Sequence, residues 1–99
     1  MLTLSHKKLE AYSLAFQLAK IIYEITEGFP KSEQYGLSSQ LRRAAVSVLS
    51  NIAEGASRYS PKEKIRFFEI SRASLVEVDT QLELSSALKY YSGEKSEAL

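Results

Sequence analysis

Residues 41–63 read LRRAAVSVLSNIAEGASRYSPKE. Two arginines open a run of small and apolar residues, the run halts near Gly55, and a new start follows at Ser60-Pro61. In SPKE the serine suits an N-cap, the proline suits the first helical position, and Glu63 completes a capping box. The stretch is therefore the body of one helix, a break, and the first turn of the next. Each such helix must bury its apolar stripe against another, so the chain reads as all-α.

Working outward, Gly28 with Phe29-Pro30 stops a first helix expected over residues 7–27, with Ser5 as its cap. The connection KSEQYG leads to a second helix over 38–56, with Gly55 weakening its last turn. The third is expected over 61–91, closing at Ser92-Gly93. Residues 92–99, SGEKSEAL, read as a tail or as the start of a fourth helix. No strand alternation, hairpin dipeptide or internal repeat competes with this reading.

Helical periodicity gives the main structural expectation. On the first helix Leu9, Tyr12, Phe16, Ala19 and Tyr23 form one apolar seam, and Leu14, Leu18, Ile21 and Ile25 form a second. On the second helix Leu41, Ala45, Val48 and Ile52 face one way, and Val46, Leu49 and Ala53 another. Apolar arcs of about 200° result, roughly twice what a helix on the outside of a monomer needs. Three helices cannot cover both seams of both, so a fourth helix, neighbouring subunits or both are expected to do so. We assign Leu14, Leu18, Ile21, Ile25, Val46, Leu49 and Ala53 to an oligomer interface. The third helix is less tidy, with serines inside its apolar face that permit close approach and can bond back to the backbone.

The 99 residues make one domain, residues 1–99. Hydrophobic residues at 44% and charged residues at 25% suit a globular chain. With no cysteine, a disulfide scaffold and a cysteine-ligated zinc site are both excluded. MLTLSHKK lacks a signal peptide's apolar core and no run approaches a membrane span, so a cytoplasmic protein without membrane contact is expected. His6 is the single histidine, and near a terminus it is most simply solvated. The inward Glu-x-x-His pairs of bundle di-metal sites are missing, as are a serine beside a histidine base and a glycine-rich phosphate loop. No catalytic residue, metal or cofactor is assigned, and an enzyme is not expected. Asn51 and Glu54 lie between the seams, where a polar contact that sets helix register is the plainer reading.

The basic residues are segregated in a way the net charge of +1 conceals. In an up-down bundle the first helix starts where the second ends and the third begins. That end gathers Lys7, Lys8, Arg58, Lys62, Lys64 and Arg66 against Glu63, six cations to one acid, a net +5 that leaves −4 elsewhere. Cations in the first turns of helices conflict with the macrodipole, at about 0.3–1 kcal/mol each. Arg42 and Arg43 repeat the conflict at the opposite end. A local rule broken repeatedly points to an external anion, and phosphates suit it. Tyr59 stands nearby as a platform for a base. A solvated, partly salt-bridged surface is the plainer alternative.

At LSSQLRRAAVSVLSNIAEGASRYSPKEKIRFFEIS the chain resembles the bacterial four-helix-bundle proteins called 23S rRNA intervening-sequence proteins. KLEAYSLAFQLAKIIYEITEGFP, YGLSSQLRRAA and DTQLELSSALKYY are similar to the same family, so the resemblance covers residues 8–91. It implies an up-down antiparallel four-helix bundle, here with its fourth helix truncated or missing, and a ring-like homo-oligomer, typically a pentamer. It also implies kinship with the accessory proteins of diversity-generating retroelements, which bind a reverse transcriptase and nucleic acid. The expected function is thus non-enzymatic: an oligomer whose cationic end binds structured RNA, with Arg42, Arg43, Arg58, Lys62, Lys64 and Arg66 as contacts. The alternative is a protein-interaction scaffold, such as a partner of a reverse transcriptase, without nucleic-acid contact.

Overall fold

The computed structural model describes residues 9–91, which form three α-helices and no strand. Helix α1 spans Glu10–Glu27, α2 spans Leu37–Ser57 and α3 spans Pro61–Ala87, with a 3-10 turn at Lys31–Glu33 joining the first two. The expected cap Ser5, the lysines at 7 and 8, His6, and the tail 92–99 lie outside the described residues.

The α3 start follows from its sequence. Ser60 caps it, its hydroxyl accepting the Glu63 N–H at 3.4 Å, with Pro61 in the first turn. Only half of the capping box closes, because the Glu63 carboxylate turns toward Arg58. Two other boundaries differ from expectation. Leu9 is extended (φ −73°, ψ 134°), so α1 starts at Glu10 and not at residue 7. At the other extreme α3 ends at Ala87, four residues early, because Lys89 adopts a left-handed conformation (φ 63°). That turn folds Tyr90 and Tyr91 back onto Phe29, with ring centroids 5.4 and 6.3 Å away. Aromatic burial outweighs the cost of about 1–2 kcal/mol for a non-glycine residue in that conformation.

Gly36 heads α2 and has no side chain to cap it. Glu33 substitutes: Oε1 accepts the Leu37 N–H at 3.1 Å, while Oε2 accepts the Tyr90 hydroxyl at 2.8 Å. One carboxylate thus caps α2, where the dipole favours a negative charge, and clasps the chain beyond α3 to the connection. The Tyr90 pKa is raised, first by this hydrogen bond, then by desolvation and the Glu33 charge.

Helix α2 is central, packed against α1 on one side and α3 on the other. It runs antiparallel to α3: Gln40 meets Gln81, Ser47 meets Ser74, and Val48 meets Ser71. Small residues let these two helices approach closely. The Ser71 hydroxyl donates to the Val48 carbonyl across the interface at 2.9 Å, and Ser47 and Ser74 share a 2.8 Å hydrogen bond. Asn51 donates to the Ser47 carbonyl and hydroxyl, extending that polar contact along α2. At the far end a Cβ on Gly55 would stand 2.7 Å from the Phe68 ring and 3.2 Å from the Phe67 Cβ. Gly55 is a packing requirement of the α2–α3 contact more than a weak point in the helix.

The core is one narrow seam: Ile22 and Ile25 of α1, Leu41, Ala45 and Val48 of α2, and Val78 and Leu82 of α3. On α1 the buried line is Ala15, Ala19, Ile22 and Ile25, so Ile25 is enclosed by its own chain and is not left for a neighbour. Leu14 on one flank is 64% exposed, and Phe16 on the other is 46% exposed. On α2, Leu49 and Ala53 are half-buried and Leu49 packs against the core; Val46 faces outward. Helix α3 carries more exposed apolar bulk than its sequence suggested, including Ile65, Phe68, Leu75, Val76 and Leu84. Among the described residues fourteen large hydrophobic side chains are exposed against eleven apolar residues in the core. A groove of about 1250 Å³ lies between α1 and α3, walled by Leu14, Leu18, Ile21, Leu75 and Val76, with Val48 and Ile52 at its floor.

Two outcomes follow from this packing. Gly55→Val should unfold about 10 °C lower in a thermal melt, since overpacking costs about 1–3 kcal/mol and each kcal/mol shifts Tm by about 4–8 °C. For Tyr90→Phe the pH dependence is diagnostic. A tyrosine whose folded pKa is raised adds stability that is complete below its unfolded pKa of about 10 and is lost as pH rises through the folded value. The stability gap between the unaltered chain and Tyr90→Phe, measured by urea titration, should therefore close above about pH 10.

Candidate nucleic-acid interface

The six assigned cations fall into two groups. Arg42 and Arg43 lie in the second turn of α2, and Arg58, Lys62, Lys64 and Arg66 surround the α2–α3 junction. Between Arg43 and Arg58 the helical rise is about 22 Å, so they do not form one site.

At the junction the four cations are not equivalent. The Arg58 guanidinium binds Glu54 at 3.0 Å, lies 3.8 Å from Glu63, and stacks 4.8 Å over the Phe67 ring. The Lys64 ammonium donates to the Ala56 carbonyl at 3.3 Å and so caps the end of α2. Arg58 and Lys64 therefore help build the corner. Lys62 and Arg66 are exposed and no described carboxylate pairs with either. Arg66 also sits 5.6 Å over Phe67, which holds its guanidinium near the surface. Tyr59, in the link just before α3, is fully exposed at 100%. The acid count differs from the sequence reading, because Glu54 joins Glu63 here through Arg58. Even so, the described cations outnumber these acids by two.

At the other end Arg42 is committed to α1. Its Nε donates to the buried Thr26 hydroxyl at 2.7 Å, Nη2 donates to the Tyr23 carbonyl at 3.3 Å, and the guanidinium lies 4.6 Å over the Tyr23 ring. Glu27 adds a 3.7 Å ion pair. The charge sits at a helix C-terminus, where the macrodipole favours a cation. Arg43, one residue on, points outward and is exposed. It borders an open cleft of about 1010 Å³ on the outer face of α2, whose lining includes Tyr23, Lys31, Tyr35 and a row of serines. Sequence reading assigned none of these last residues. Lys31 and Tyr35 both lie within KSEQYG, so a connection carrying both a cation and a tyrosine was the available signal.

Among the described residues no three His, Asp or Glu side chains converge as a metal site requires, and no helix is long and apolar enough to cross a membrane.

The family model described as 23S rRNA-intervening sequence protein matches residues 7–99. The chain belongs to that family. No curated protein matches it.

The two neighbouring arginines should respond differently to truncation. Arg42→Ala removes a charged hydrogen bond to a buried hydroxyl and should cost about 1.5–3 kcal/mol in a chemical denaturation curve. Arg43→Ala should stay within about 0.5 kcal/mol of the unaltered chain.

Proposed function

We propose that this member of the 23S rRNA-intervening sequence protein family is a non-enzymatic, self-associating helical bundle that holds structured RNA against its cationic corner. One observation carries the nucleic-acid reading. Lys62 and Arg66 stand exposed on the first two turns of α3, beside the fully exposed Tyr59, with no described carboxylate to pair with them. Cations at a helix N-terminus are tolerated more readily when an anion arrives from outside. Contacts of this kind are mainly to phosphate, so the binding is salt-sensitive and reads little sequence. Arg58 and Lys64 support the corner and contribute charge from fixed positions.

The apolar groove supports self-association. A helix laid into it would stand as the fourth stave of a bundle. Each large side chain covered there gains about 1.5–3 kcal/mol. Five copies is the number that the resemblance implies.

Both halves of the proposal are measurable. RNA affinity should fall linearly with salt on a logarithmic plot, and the charge-reversed variant Lys62→Glu/Arg66→Glu should lose binding. Light scattering should give a mass that is a multiple of 11.1 kDa, which Leu14→Asp/Leu75→Asp reduces toward one chain with helical circular dichroism retained. A flat salt response with assembly intact would instead favour a scaffold for a protein partner. A monomer with no affinity for RNA would sink both halves.

A further inference from the structure

We infer that the cleft on the outer face of α2 is a second site that takes single-stranded nucleic acid, with a base stacked on Tyr35 and the backbone against Arg43 and Lys31. The inference rests on the nucleic-acid reading above and adds the form of strand recognised.

Its shape and chemistry differ from those of the apolar groove. The cleft lies between the last turn of α1, the connection and the solvent face of α2, an open trough of about 1010 Å³. Ser38 and Asn51 mark its ends along α2, about 20 Å apart by helical rise. Three cations line it, Lys31, Arg42 and Arg43, and Glu27 is the one acid among its lining residues. That acid already leans on Arg42, leaving Arg43 and Lys31 exposed without a described ion pair. The hydroxyls of Ser39 and Ser50 and the Gln34 amide also line it, groups of the kind that contact phosphate and sugar in nucleic-acid interfaces.

Tyr35 specifies the strand. It is 91% exposed at the rim of this cationic trough, with no described ring partner. Tyr23 is different, because the Arg42 guanidinium already covers its ring at 4.6 Å. An open aromatic face next to cations is the arrangement on which unpaired bases stack. A duplex hides its base faces inside the helix and presents only backbone and groove edges. The cationic corner near Lys62, about 22 Å from Arg43 along α2, carries its charge without such a trough and fits a folded or paired backbone. The two surfaces thus suit the two parts of a structured RNA, its helices and its loops.

The test uses the full chain with a fluorescently labelled single-stranded RNA of mixed sequence, and the same strand annealed to its complement. Tyr35→Ala and Arg43→Ala should each weaken single-strand binding about tenfold, while duplex binding stays within about twofold. Tyr35→Phe keeps the ring and should restore single-strand affinity. Both positions are on the surface, and circular dichroism checks that the helices persist. Equal losses for both RNA forms, or none for either, would overturn the cleft assignment while the cationic corner stands. If the unaltered chain binds neither RNA at low salt, the nucleic-acid reading itself fails, and the cleft with it.

Discussion

Close contact between α2 and α3 governs the rest of the molecule. A hydroxyl of one helix reaches a backbone carbonyl of the other, Ser71 to Val48 at 2.9 Å, and that geometry exists only where side chains are small. Ala44, Ser47, Gly55 and Ser74 supply the space. Buried hydroxyls cost little here because each has an acceptor or donor in reach. Their presence on both helices also limits how much apolar surface the pair can enclose. The core is consequently narrow, and much of the greasy surface that a larger bundle would cover stays uncovered.

That narrow core explains the distribution of the exposed side chains. Helix α2 uses one flank for α1 and the other for α3, so α1 and α3 stand apart with Val48 and Ile52 between them. Leu14, Leu18 and Ile21 then face Leu75 and Val76 across open space. A single apolar seam per helix would have produced a closed three-helix unit. The buried line of Ala15, Ala19, Ile22 and Ile25 takes one residue from each seam of α1 and leaves Leu14 exposed on one flank and Phe16 on the other.

The charges divide by role in the same way. Arg42, Arg58 and Lys64 each close off a helix end or link neighbouring segments, and their positive charge is partly spent on carboxylates and carbonyls of the chain itself. Arg43, Lys62 and Arg66 are exposed, and no described carboxylate pairs with them. Adjacent residues of one type therefore do different work: Arg42 points toward the α1 terminus, while the 100° step to Arg43 turns it to solvent.

Local chemistry by itself determined the three helices and the clearest of their boundaries. Ser60-Pro61 begins α3 because its hydroxyl and fixed ring meet the needs of a first turn, and Gly28-Phe29-Pro30 ends α1 because a helix cannot continue through it. The width of the apolar arcs on α1 was legible from spacing alone, as was the gathering of basic residues at the α2–α3 junction. Which residues lie between the seams was not. Ile25 went inside, Leu49 and Ala53 went halfway, and Glu33 and Tyr90, separated by 57 positions, became partners across the connection. The same holds for Arg42, for the Tyr35 rim, and for the early end of α3 at Ala87. Periodicity specifies which way a side chain points from its own helix axis, whereas packing decides what stands opposite it, and that second fact belongs to pairs of segments far apart in the chain.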